Sequence, residues 1–307
     1  MKKTLSLLLV LVLCITASLT LSSCGNSYDY TIGVCQLMEH SSLDEATEGF
    51  VDAVSKKMEE AGKTIDIDID VAGETNLCAT VVNAFVSKRV DLILGNATPA
   101  LLAAANATTD IPVLGTSVTD YKDTFSGNIP ENVSGTSDAV PFDKQAQMMI
   151  DTLGLVSGDK VGVLYCSNES NSLLQYNQVK AYFELKGIKV TPYTFSDTTE
   201  LQTVVTNAAD NSKAIYIPSD NTVADNDSIV GTVCSEKNVP VYTSYSSTIC
   251  YASLAIDYYE LGYQTGLMAA QILLEGKTPS DFEIMTLTPS TQFNAELCQK
   301  LGIIAEE

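Results

Sequence analysis

Short runs rich in β-branched residues alternate with longer amphipathic stretches along this 307-residue chain, and the alternation comes in two successive series. The first series predicts strands over 30–37, 65–71, 90–95 and 112–118, helices over 42–61, 75–88 and 98–107, and a short strand over 132–137 leading to a hinge. The pattern then restarts with strand 161–166, helix 170–186, strand 189–195, helix 199–209, strand 214–218, helix 222–237 and strand 240–244. A strand-plus-helix unit recurring every roughly 30–40 residues is the pattern of a parallel sheet with crossover helices. The chain is long enough for two separate cores, so the two series predict an α/β fold of two doubly wound parallel-sheet lobes.

The tail suggests how the lobes are joined. A strand-like piece over 253–257 precedes a helix over 258–276, a strand over 282–287 and a closing helix over 294–301. A chain that returns after completing its second lobe makes a multi-crossover hinge. The expected division is an N-terminal lobe of 30–138 plus about 253–280 and a C-terminal lobe of 139–252 plus about 281–307. Gly262 and Gly266 are expected to let the 258–276 helix pack closely on a sheet, because Glu260, Gln264 and Gln271 interrupt any lipid-facing surface.

At the other end, Lys2-Lys3 opens an uncharged stretch over 5–21 that finishes at Leu21-Ser22-Ser23-Cys24. A basic start, an apolar run at the short limit for a membrane span, and small residues before a cysteine resemble a bacterial lipoprotein signal. That resemblance implies a signal peptide over 1–23, lipid on Cys24, a linker over 24–29 and an extracytoplasmic body tethered to the membrane. The formal charge of −21 becomes −23 without Lys2 and Lys3, which argues against nucleic acid and anionic headgroups as partners. Beyond Cys14 and Cys24, the cysteines at 35, 78, 166, 234, 250 and 298 have no C-x-x-C spacing. They read mostly as small buried apolar residues, with one or two disulfides as the alternative.

Seven blocks carry a resemblance to one family: Gln36-Leu37-Met38-Glu39-His40, Ala97-Thr98-Pro99, Val118-Thr119-Asp120, Asn168-Glu169-Ser170-Asn171-Ser172, Pro218-Ser219-Asp220-Asn221-Thr222, Ile256-Asp257-Tyr258 and the stretch 294–302. In order and spacing, over essentially all of 30–303, the chain resembles the solute-binding lipoproteins of ABC importers of the tryptophan/tyrosine type. The resemblance implies a type I periplasmic-binding-protein fold and a small-molecule ligand, an amino acid with aromatic ones favoured. It also implies an ABC permease with its ATPase as partners, and no cofactor. Nucleosides or sugars are the alternative ligands, and a sensing or adhesive surface lipoprotein is the alternative role. Three positions depart from the family pattern: Tyr121 stands where a proline commonly follows the aspartate, Ala255 replaces a glycine, and the run 249–251 lacks another. These departures bear on ligand size more than on ligand class.

Each block falls where a strand gives way to a helix, the place where open α/β sheets bind ligands. Thr98, before Pro99, is placed to hold a carboxylate at the positive end of a helix or to act as an ordinary cap. Ser117 and Thr119 supply hydroxyls beside Asp120, while Asn171, Ser172, Asp220 and Asn221 open helices of the second series. An amino-acid zwitterion needs donors for its carboxylate and an acceptor for its ammonium. Asp220 is the preferred acceptor; Asp120 and Asp257 compete with it, and any of the three fits a helix cap or a hinge brace equally.

Glu39 and His40 follow the first strand and either close the cleft mouth or touch ligand, whereas a metal role for His40 with Cys35 is disfavoured. Tyr121, Tyr176, Tyr245 and Tyr251 are candidates for stacking on a ring, with core packing as the rival reading. Enzymatic chemistry finds little support. The chain has one histidine, no G-x-S-x-G elbow, no phosphate-binding glycine loop and no H-E-x-x-H.

Overall fold

The computed structural model describes residues 28–304. The leader over 1–23, Cys24 and most of the linker over 24–29 lie outside the described residues. The first sheet is built from β1 (Tyr30–Gln36), β2 (Ile65–Val71), β3 (Leu92–Asn96), β4 (Val113–Val118), β5 (Val133–Ser137) and β11 (Met285–Thr286), in the order β11-β5-β4-β3-β1-β2. The second contains β6 (Lys160–Cys166), β7 (Lys189–Phe195), β8 (Ala214–Ile217), β9 (Val241–Thr243), β10 (Ala252–Ala255) and β12 (Ser290–Phe293), in the order β12-β10-β9-β8-β6-β7. Every pairing is parallel except β10 with β12.

Helices cover both faces of each sheet. The first lobe carries α1 (Ser41–Glu60), α2 (Cys78–Lys88), α3 (Thr98–Ala107) and α4 (Tyr121–Thr124). The second carries α5 (Phe142–Leu153), α6 (Ser170–Leu185), α7 (Thr198–Asn211), α8 (Asn221–Asp225) and α9 (Asp227–Lys237); α10 (Tyr258–Glu275) and α11 (Ala295–Leu301) follow. Alternate residues of the inner strands feed opposite cores. Ile32, Val34, Leu92 and Leu94 pack in one cluster, and Cys35, Leu37 and Ile93 pack in the other. In the second lobe Val161 and Val163 face one core while Leu164 and Cys166 face the other. Burial of both strand faces is what a crossover-helix sheet demands. The edge strand β2, Ile-Asp-Ile-Asp-Ile-Asp-Val, instead sets an aspartate at every second position, which discourages pairing with another chain.

Several expectations need correction. The strand near 253 belongs to the second sheet, where Ala252 and Ser253 pair with Tyr242 and Thr243, so the return to the first lobe begins only with α10. The strand expected over 282–287 shrinks to Met285–Thr286 and pairs with Thr136 and Ser137 in the first sheet. The second lobe regains the chain only at β12, a strand the sequence reading did not anticipate. The lobes are therefore about 30–138 with 258–286, and 139–255 with 290–303. Three crossovers join them, and their partners are set by tertiary pairing of very short strands rather than by local pattern.

Helix α5 was also unanticipated, although Pro141 before it and the left-handed Gly154 after it are ordinary helix punctuation. The single helix expected over 222–237 is two, interrupted at Asn226, whose φ/ψ of −116°/22° is not helical. Gly262 and Gly266 serve close helix–helix contact and not contact with a sheet. A Cβ on Gly262 would lie 1.9 Å from the Ala46 carbonyl oxygen of α1, and one on Gly266 would lie 2.5 Å from that of Phe50.

Candidate functional site

The carboxyl ends of the parallel strands in both sheets face one cleft. Asn96 and Thr116 are register partners, so Ala97, just past β3, and Ser117, near the end of β4, lie side by side. Both take positive φ, 92° at Ala97 and 56° at Ser117, in regions that residues with a Cβ enter only under constraint. The strain at Ala97 launches α3 at Thr98. At Ser117 it coincides with a break in the β4–β5 register, and the buried hydroxyl lines the cleft.

Between the lobes lies a narrow polar cavity, walled by His40, Ser117 and Asp138 of the first lobe and by Asn171, Asp220 and Tyr245 of the second. The lobes are thus drawn together. His40 Nε2 lies 3.3 Å from Asn221 Oδ1 across the gap, and Gln175 Nε2 donates to Thr119 Oγ1 at 3.3 Å while its Oε1 accepts from the Ser219 N–H at 3.0 Å.

Of the residues singled out from sequence, His40, Ser117, Thr119, Asn171, Asp220 and Asn221 line this cavity, as does Tyr245. Thr98 and Ser172 are buried but are not among its lining residues. The other expectations fall elsewhere. Glu39 is exposed and lines a shallow depression beside β2 and α1. Asp120 caps α4, accepting from the Lys122 and Asp123 N–H groups, and exposed Asp257 caps α10 through the Glu260 N–H at 2.9 Å. The helix-cap reading therefore holds for both residues. Tyr121 donates its hydroxyl to the Thr136 carbonyl in the core, Tyr176 stacks on Tyr165, and Tyr251 is buried against Thr152.

Three important groups escaped the sequence reading of the site. Asp138, just past β5, is buried in the cavity wall. Its Oδ2 accepts from the Tyr258 hydroxyl at 2.9 Å, and its Oδ1 has no partner. Burial pushes its carboxyl above the usual carboxylate range, against the Tyr258 hydrogen bond and the pull of the nearby Thr119 hydroxyl. Tyr258 itself lines the same wall. Glu169, fully buried before α6, receives the Asn221 and Thr222 N–H groups at 3.0 and 2.8 Å, together with Asn221 Nδ2 and Thr222 Oγ1, both at 2.7 Å. It thereby caps the short α8 from another element.

Asp220 differs from Asp138 in the way its oxygens are used. Its Oδ1 takes the Val223 N–H at 2.9 Å and its Oδ2 takes the Cys166 N–H at 2.7 Å. Burial, and after it the negative charge of Glu169, push its carboxyl well above the usual range. Among the described residues no lysine or arginine forms an ion pair with Asp138, Asp220 or Glu169. Four buried polar atoms of the cavity wall lack any partner: His40 Nδ1, Ser117 Oγ, Asp138 Oδ1 and Asn171 Oδ1. The Thr98 hydroxyl is similarly unpaired at the start of α3. Each such atom costs roughly 1–3 kcal/mol when left unsatisfied, so their convergence marks a place built to receive polar groups. Among the described residues no cluster of three or more His, Cys, Asp or Glu side chains could hold a metal ion, and all six cysteines are unpaired and buried.

Two doubly wound lobes with a polar cavity at their shared cleft define a type I periplasmic-binding-protein fold. The model of the ABC transporter substrate-binding protein family matches residues 31–307, and the chain belongs to that family. It is 34% identical over 264 residues to the tyrosine-binding protein of Clostridioides difficile strain R20291, covering 83% of this chain and 76% of that one. It also resembles an ABC domain from Streptococcus pneumonia solved in complex with L-Trp, at 32% identity, TM-score 0.80 and coverage of 89% and 95%. A ligand-free, open substrate-binding protein with adhesive properties from Clostridium difficile gives 32% identity, TM-score 0.67 and coverage of 90% and 96%. At equal identity the overlay is better on the liganded relative than on the open one, in keeping with the closed lobes here. The family is one of substrate-binding proteins and not of enzymes.

Proposed function

We propose that this chain is the lipid-anchored, extracytoplasmic binding component of an ABC importer and that its cleft closes on an α-amino acid with an aromatic side chain. The relatives named for tyrosine and solved with L-Trp support the ligand class, and the leader ending at Cys24 supports the anchor. The observation that carries the reading is the pairing, in one cavity wall, of a buried carboxylate oxygen with no partner, Asp138 Oδ1, and a strained, unpartnered hydroxyl, Ser117 Oγ. An ammonium satisfies the first. A carboxylate satisfies the second, with the positive end of α3 starting at the end of the neighbouring strand.

Asp138 takes the ammonium role for which the sequence preferred Asp220 over Asp120 and Asp257, because Asp138 Oδ1 has no partner whereas each Asp220 oxygen already accepts a backbone N–H. Tyr245 and Tyr258 supply aromatic surface to the same cavity. Contacts from both lobes make the ligand bind the closed arrangement better than the open one, which is what drives closure and presents a closed body to the permease.

The test is a thermal-shift screen of the body from Gly25 onward, refolded free of carried ligand, against amino acids, nucleosides and sugars. Ligand at 100 times its Kd should stabilise by about 2.7 kcal/mol. A shift confined to amino acids is the expected result, and a shift given only by nucleosides or sugars refutes the ligand class. The adhesive relative makes a surface-binding role the second reading; uptake that survives deletion of this chain would favour it.

A further inference from the structure

His40 is the only histidine in the chain, and its hydrogen-bond partners determine which of its ring nitrogens carries hydrogen. Glu169 Oε2 accepts from Asn221 Nδ2 at 2.7 Å. The opposite orientation of the amide would set oxygen against a carboxylate, so Asn221 Oδ1 is turned toward His40. An amide oxygen only accepts, and therefore His40 Nε2, 3.3 Å away, must be the donor. In the neutral ring Nδ1 is then a bare acceptor. This atom is buried and has no partner, and His40 is one of the residues that line the ligand cavity.

We infer that His40 Nδ1 reads the ligand's side chain, accepting a hydrogen from a ring-borne donor such as a phenol hydroxyl or an indole N–H, and so selects tyrosine and tryptophan over phenylalanine. The inference rests on the amino-acid reading above and deepens it. A ligand carboxylate is excluded from this position, since acceptor would meet acceptor. Phenylalanine leaves the acceptor buried and unsatisfied, and sites that hydrogen-bond a substrate's donor discriminate strongly against the analogue lacking it.

The neutral state is supported by the surroundings. Burial pulls His40 below the usual imidazole range, against the Asn221 hydrogen bond and the carboxylates of Glu169 before α6, Asp44 on α1 and Asp225 on α8. Protonation of the ring would put a hydrogen on Nδ1 and abolish its acceptor role.

The experiment is titration calorimetry of the ligand-free body with L-tyrosine, L-tryptophan and L-phenylalanine, using wild type, His40→Phe and His40→Gln. Wild type should prefer tyrosine to phenylalanine by roughly 10- to 100-fold. His40→Phe should erase that ratio, and His40→Gln, which retains an acceptor, should restore part of it. In wild type the ratio should also shrink as pH falls far enough to protonate His40, a readout that needs no variant. Titration of Asp138 and Asp220 affects both ligands alike and cancels in the ratio. Equal wild-type affinities for tyrosine and phenylalanine, or a ratio unchanged in His40→Phe, overturn the inference while leaving the amino-acid reading intact. No binding by any aromatic amino acid overturns both.

Discussion

Replacing Asp138 by Asn separates the two buried aspartates of the cleft by their opposite effects on stability and binding. Asp138 places one oxygen on the Tyr258 hydroxyl and leaves the other bare, and among the described residues no lysine or arginine forms an ion pair with it. Asparagine keeps an acceptor for Tyr258 and removes a buried charge, so the ligand-free protein should melt at the same temperature or higher. Binding should suffer, because the ligand's ammonium then faces an amide. Truncating one partner of a buried charge pair costs about 2–5 kcal/mol, or roughly 30- to 4,000-fold in Kd. Asp220→Asn should do the reverse to stability. Its two oxygens hold the Cys166 and Val223 N–H groups, and an amide cannot accept at both ends, so one hydrogen bond worth about 1–3 kcal/mol is lost and Tm falls. Calorimetry with L-tyrosine and thermal melts of the three proteins without ligand give both readouts. An Asp138→Asn protein that binds within about threefold of wild type, a difference of under 1 kcal/mol, refutes the assignment of the ammonium to Asp138.

Three further expectations follow from the same geometry. Because burial raises the Asp138 carboxyl, ligand-free stability should fall as pH rises from the ordinary aspartate value through the raised one, and tyrosine affinity should rise over that window; pH-dependent melts and titrations of wild type and Asp138→Asn check both slopes, which should flatten in the variant. Ser117→Gly relieves a φ of 56° but deletes a hydroxyl of the ligand cavity, so Tm should rise by the equivalent of about 1 kcal/mol while tyrosine binding weakens; a variant that is less stable than wild type contradicts the strain argument. Gly262→Val brings a Cβ to 1.9 Å from the Ala46 carbonyl oxygen and should destabilise by at least about 1–3 kcal/mol in a denaturant melt, with an unchanged midpoint as the contrary result.

The tandem strand-and-helix series was legible because each unit carries its own local signal: β-branched runs such as Val161 to Cys166 and capped helices such as Thr198–Asn211, which opens on Asp197. The crossovers were not, since the two residues of β11 and the four of β10 have no pattern that names their neighbour. Their sheet is decided by which lobe α10 packs against. Within the site, Asp120, Asp220 and Asp257 look alike in sequence, each preceding a helix, and all three do cap one. Only burial separates them. Asp138 had no motif at all, because it stands at a crossover and not before the first turn of a helix, and its importance comes from Tyr258, 120 positions away in sequence. Glu169 lay inside a block that was recognised, yet its role of holding α8 requires the two lobe-two loops to meet.

The most direct test of the account is a crystal structure of the body from Gly25 onward bound to L-tyrosine. The expected result is the ligand between the closed lobes, its ammonium on Asp138 Oδ1 and its carboxylate against Ser117. A ligand seated outside this cavity, or inside it with its ammonium on Asp220 and Asp138 Oδ1 still without a partner, would contradict the account.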